Sequence, residues 1–214
     1  KTLSDPRLRS TLADLHRADG AWSELAALLT EDATTASDTT QRASLLREAA
    51  DLHLEKRGAP EAAIPLLEQA LDIAESPNGI ALRLAPALCA VGRVADAVAL
   101  LTARVEAFGA RRPKERALLH HALARALLLT NERAAALAEL ELAVKIDPVN
   151  LQIRRALADT AAGSGDLETA QNMYRAMLLV LPREPKSGEL TRAELFVCLA
   201  DVAERRSDAT EAGE

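Results

Sequence analysis

Aromatic residues and cysteines are scarce in this sequence: aromatics make up 2% of its 214 residues, and the only cysteines are Cys89 and Cys198. The core must therefore be built from aliphatic side chains. Because the two cysteines lie far apart in apolar-periodic segments, they give no disulfide framework and no zinc-binding spacing. We expect them to be buried free thiols. No apolar run reaches the roughly 18 residues of a membrane span, and the opening stretch KTLSDPRLRS is not a signal peptide.

Glycine and proline are also sparse, with nine of each, and most of them separate apolar-periodic segments as turn residues do. The abundant residues are Ala and Leu, the strongest helix formers. A composition of 49% apolar and 27% charged residues is that of a folded protein and predicts an all-α fold. The formal net charge of -6 provides no long-range attraction to phosphates or anionic lipids, so we expect neither nucleic-acid binding nor membrane binding.

Similar phrases recur along the chain at a spacing of about 34 to 37 residues. LLEQALDIAESPN at 66–78 resembles ELELAVKIDPVN at 139–150, and GRVADAVALLTARVEAF at 92–108 lies between them. Two further copies occupy 20–33 and 165–182. Another amphipathic segment with helical spacing precedes each copy, so the repeating unit is a pair of helices.

Turn-forming residues punctuate these helix pairs. Asn131 stands between the two helices of the fourth repeat, and Gly165 between the two helices of the fifth. A residue with left-handed backbone geometry at this position ends the first helix of the pair. Asn150 is placed to cap the N-terminus of the first helix of the fifth repeat, and Asp166 to cap the N-terminus of its second helix. Pro148 is predicted to close a second helix, because the residue before a proline is disfavoured in helical geometry.

This pattern resembles the tetratricopeptide repeat (TPR), in which two antiparallel helices form a unit of about 34 residues. The resemblance covers nearly the whole chain. In that family small residues recur where two helix backbones approach closely, bulky residues fill the flanking grooves, and a proline follows the second helix. In the fourth and fifth repeats the matching residues are His120, Leu123, Ala124, Leu127, Ala136, Leu140, Ala143 and Pro148, then Arg154, Leu157, Ala158, Ala161, Ala170, Tyr174, Met177 and Pro182.

The resemblance implies a single right-handed superhelical solenoid of antiparallel helix pairs. Its repeats are predicted at about 6–42, 43–77, 78–116, 117–150, 151–192 and, in part, 193–214. An array cut within a repeat leaves an apolar face uncovered, so we expect a fragment of a larger protein and weak self-association through the exposed ends. The excess of Arg over Lys and the abundance of Ala favour a bacterial origin, and we expect a cytoplasmic location.

The resemblance also implies a site, because the first helices of successive repeats line a peptide-binding groove in that family. The matching positions here are Arg47, Asp51, His121, Arg125, Gln152, Arg155 and Asp159. His121 and Arg125 share a helix face and, with Arg155, would form a cationic pocket for a carboxylate-bearing segment. In the alternative interpretation these Arg residues only solubilise an Ala-rich surface. The Asn residues that clamp a C-terminal carboxylate in some members are absent.

Catalytic signatures are missing. GSGD at 163–166 has no following Lys to hold a phosphate, and the adjacent His120 and His121 point about 100° apart on a helix, which argues against a shared metal. The basic stretch RRPKER at 111–116 has no neighbouring aromatics for base stacking, so we predict a solvated loop.

The sequence thus predicts a non-catalytic scaffold for protein–protein interaction, with no cofactor and no metal, whose partner is a protein or peptide. The alternative function is a ligand-sensing regulatory superhelix attached to an ATPase, a kinase or a DNA-binding transcription-regulator domain outside this segment.

Overall fold

The computed structural model describes residues 6–109, 111, 113–181 and 190–211. Every regular element in these ranges is a helix, which confirms the all-α prediction. The helices are α1 (Pro6–Asp19), α2 (Trp22–Thr35), α3 (Thr39–Glu55), α4 (Pro60–Ile73), α5 (Asn78–Ala90), α6 (Val94–Glu106), α7 (Lys114–Leu129), α8 (Arg133–Ile146), α9 (Leu151–Ser164), α10 (Leu167–Val180) and α11 (Arg192–Glu211).

The helices group into two compact units. The N-terminal unit ends at Glu106 and contains α1 to α6, each packed against the next. The C-terminal unit begins at Ala107 and contains α7 to α11, which pack in the same consecutive way, and α7 also contacts α9 directly. Since short connections join the packed neighbours, consecutive helices are antiparallel, as the resemblance predicts.

Small residues occupy the helix contacts in both units. Their side chains are excluded from solvent, and the large fully buried residues Leu67, Leu101, Leu140 and Met177 fill the space beside them. Close approach of two helix backbones requires short side chains at the crossing, and tight interior packing then fixes the neighbours. The buried alanines of the N-terminal unit include Ala49, Ala50, Ala63, Ala70, Ala85 and Ala97, and those predicted for the fourth and fifth repeats are Ala124, Ala136, Ala143, Ala158, Ala161 and Ala170.

The predicted turn chemistry is present. Asn131 has a φ of 63° and Gly165 a φ of 87°, both in the left-handed region that ends a helix. The Asp166 side chain accepts a hydrogen bond from the Thr169 backbone N–H at 3.0 Å, and the Asn150 side chain caps α9 in the same manner. These local interactions confirm the placement of α9 and α10.

Proline also marks the end of α8, which stops at Ile146 just before Asp147 and Pro148. The corresponding prediction for Pro182 lies outside the described residues. The prediction of buried thiols is wrong in part, because Cys89 and Cys198 are both partly exposed. Cys89 lies in the last turn of α5, and Cys198 lies on α11, the last helix of the C-terminal unit, which packs against α10.

Candidate binding cleft

A cavity of about 840 Å³ lies within the C-terminal unit, between α7 and α9. Asn150 fixes the start of α9 beside it, since its side-chain oxygen accepts hydrogen bonds from the Gln152 and Ile153 backbone N–H groups at 3.1 and 3.2 Å. We call this cavity the α7/α9 cleft. Its lining residues are His121, Arg125 and Leu128 from α7, Leu151, Gln152, Arg155, Ala156, Asp159 and Thr160 from α9, and Leu190.

The cleft brings together five of the seven predicted groove residues, all of which lie in the C-terminal unit. The other two, Arg47 and Asp51, lie on α3 in the N-terminal unit and do not line this cavity. Helical spacing explains the grouping. On α7 the polar positions are four residues apart, and on α9 they are three and four apart, so each set projects from one side of its helix.

Arg155 is the most constrained cation of the cleft. Its Nε lies 2.8 Å from both carboxylate oxygens of Asp159, one turn further along α9. The hydroxyl of the buried Tyr174 donates to the same carboxylate at 2.5 Å, and the Arg155 guanidinium lies 6.0 Å from the Tyr174 ring centroid. Burial and the hydrogen bond to Asp159 raise the pKa of Tyr174, so the phenol remains a donor. The charge of Arg155 is therefore compensated within its own helix.

Arg125 differs from Arg155 because it is exposed and forms no hydrogen bond or ion pair with any described residue. His121, four residues before it, is partly buried. Burial and the nearby Arg125 charge both lower the pKa of His121, so the imidazole is neutral near pH 7. The α7 side of the cleft thus has one uncompensated positive charge.

Aliphatic side chains form the remainder of the wall. Leu128 is 36% exposed, and Leu151, Ala156 and Leu190 are partly buried around the same space. A cavity of this size with an apolar wall and a few polar groups has the composition of a ligand-binding site. The arrangement contains hydrogen-bonding and charged groups, but no nucleophile paired with a base.

Comparison with known proteins identifies the architecture. No family model matches the chain, and no curated protein matches it in sequence. Solved structures do match: a Podosopora anserina putative kinesin light chain with nearly identical TPR-like repeats superposes with a TM-score of 0.64 at 24% identity, covering 81% of this chain and 93% of that one. The chain has the tetratricopeptide-repeat fold.

Two bacterial structures give the same result. MamA of Desulfovibrio magneticus RS-1 matches with a TM-score of 0.62 at 17% identity, covering 81% of this chain and 93% of that one. PilF of Pseudomonas aeruginosa matches with a TM-score of 0.63 at 17% identity, covering 97% of this chain and 88% of that one. In the TPR fold α7 and α9 are the first helices of neighbouring helix pairs, so the cleft lies between two first helices.

The N-terminal unit contains a polar pair on two first helices, of which the sequence predicted only one member. Asp51 on α3 forms an ion pair with Arg83 on α5 at 2.8 Å. Burial raises the pKa of Asp51 more than the attraction of Arg83 lowers it. Arg83 was not among the predicted groove residues. The available signal was its position directly before the buried Leu84 and Ala85, on the first helix of the third predicted repeat.

Metal-binding clusters and membrane-spanning helices are both absent from the part of the chain that the structure describes. Among these residues, no group of three or more His, Cys, Asp or Glu side chains has a geometry that could hold a metal ion. Within the same ranges, no helix combines the length and apolarity needed to cross a bilayer. The loop predicted at 111–116 is wrong in part, because α7 begins at Lys114. The Arg116 guanidinium, in the first turn of that helix, donates to the Gly109 and Arg111 carbonyls at 2.7 and 2.9 Å.

Proposed function

We propose that this TPR protein is a non-catalytic interaction scaffold that binds a segment of a partner protein in the α7/α9 cleft. The observation that supports the proposal most strongly is the convergence of His121, Arg125, Gln152, Arg155 and Asp159 on a single cavity. These are the C-terminal residues selected by their match to the groove positions of the TPR family.

The dimensions and composition of the cleft suit a peptide. A volume of about 840 Å³ lies within the range of about 300–1,000 Å³ that holds a compact ligand or a few side chains. The exposed Gln152 amide offers both a donor and an acceptor for a peptide backbone. The aliphatic wall excludes water from such contacts and strengthens them. Nothing in the described residues favours the regulatory alternative.

A selection from random peptides tests the proposal and requires no identified partner. The immobilised chain is challenged with displayed short random peptides, and enriched peptides are then measured against two Trp variants. Ala156→Trp fills the cleft, because Ala156 lines it. Ala138→Trp is the matched control, since Ala138 is exposed on α8 and lies outside the cleft. Circular dichroism verifies that both variants fold.

We expect enriched peptides to bind the wild type and the Ala138→Trp variant equally and to lose binding to the Ala156→Trp variant. The proposal fails if no peptide is enriched, or if the enriched peptides bind both variants as they bind the wild type.

A further inference from the structure

We propose that the cleft selects a segment in which a single acidic side chain lies beside an aliphatic one, and that Arg125 binds the acidic carboxylate. This inference rests on the proposed function, because it names the chemistry of the segment bound there. It assigns specificity to one residue of the three that sequence reasoning grouped as a cationic pocket.

The charges of the cleft support one acidic position rather than several. Asp159 neutralises Arg155 at 2.8 Å, and the Tyr174 hydroxyl holds that carboxylate in place at 2.5 Å. A second ligand carboxylate near Arg155 would meet the Asp159 charge, and like charges in proximity repel. Arg125 has no such partner among the described residues, and its planar guanidinium can bind a carboxylate through two hydrogen bonds.

The aliphatic requirement follows from the surroundings of Arg125. Leu128 is one turn further along α7, and Leu151 and Leu190 line the same cavity. An aliphatic ligand side chain placed against them would remove apolar surface from water on both partners, which is favourable in proportion to the area buried.

The test uses the same displayed random peptides, selected in parallel on the wild type, on Arg125→Glu and on Asp159→Asn. Wild-type peptides are expected to be enriched in Asp or Glu next to Leu, Ile or Val. Arg125→Glu is expected to replace the acidic preference with Lys or Arg at that position. Asp159→Asn keeps an acceptor oxygen for Tyr174 but frees the charge of Arg155, so a second acidic position is expected to emerge.

Affinities of one wild-type-selected acidic peptide complete the test. Arg125→Glu is expected to weaken its binding by about tenfold or more, because an attraction becomes a repulsion in a partly desolvated cleft. Arg175→Glu, the same substitution at an exposed position of α10 that lies outside the cleft, is the matched control and should change the affinity less than about twofold.

The inference is overturned if wild-type peptides bind in the cleft but have no acidic preference, or if Arg125→Glu still selects acidic peptides. In either case the proposed function stands, because the Ala156→Trp variant still blocks binding. If no peptide binds in a way that Ala156→Trp blocks, the proposed function fails and this inference fails with it.

Discussion

Ala143→Leu tests the packing rule on which the helix pairs depend. Ala143 on α8 is fully buried in a cluster with Ala117 on α7 and Ile153 on α9, both also fully buried. The substitution adds three carbons. If the site had room for these carbons, their burial would stabilise the fold by about 0.8 kcal/mol per methylene. Because α8 contacts both neighbouring helices at this point, we expect overpacking instead, at about 1–3 kcal/mol of destabilisation.

Urea denaturation followed by far-UV circular dichroism measures this effect, with the midpoint compared at constant slope. Ala138→Leu is the control, because Ala138 lies on the exposed side of the same helix and its substitution should change the free energy of unfolding by less than about 0.5 kcal/mol. A midpoint for Ala143→Leu that equals or exceeds the wild-type value would refute the packing register, since it would mean that space exists where we infer a helix crossing.

Three further substitutions test the region where α9 passes into α10. Gly163→Ala should raise the free energy of unfolding by about 0.5–1 kcal/mol, because Gly163 is helical with no atom within 4 Å of an added Cβ. Gly165→Ala should lower the free energy of unfolding by about 1–2 kcal/mol, because the φ of Gly165 is 87°, which is left-handed. If chemical denaturation showed that both glycine substitutions change the free energy of unfolding in the same direction, this assignment would be wrong. Hydrogen bonds from Thr169 hold the pKa of Asp166 below its ordinary value of 3.8. The stability advantage of the wild type over Asp166→Asn should therefore be present above about pH 5 and disappear as the pH falls through the folded-state pKa, and an advantage that grows on acidification would contradict it.

Local chemistry made much of this fold predictable from the sequence. The left-handed Asn131, the capping Asn150 and the turn at Gly165 each act through neighbours within a few residues, so their roles can be assigned before the tertiary structure is known. The buried alanines follow from spacing, because helical periodicity places them on the face that meets the next helix. The repeat pattern then gives the order in which the helices pack.

The electrostatics of the site were less predictable, because they depend on which charged groups meet. The i, i+4 spacing of Arg155 and Asp159 was visible in the sequence, but the Tyr174 hydroxyl that fixes Asp159 comes from α10. The pairing of Asp51 with Arg83 joins two different helix pairs and depends on their packing. Only the structure shows that Arg125 differs from Arg155 by the lack of a compensating partner among the described residues.

The most direct test of the central claim, that the α7/α9 cleft is the binding surface, is the amide chemical-shift map of the labelled chain with one enriched peptide. We predict that the largest shift changes fall on Arg125, Gln152 and Ala156, and that Ala138 and Arg175 on the outer helices stay unchanged. Largest changes on α8, on α10 or in the N-terminal unit, with the cleft unaffected, would contradict the account.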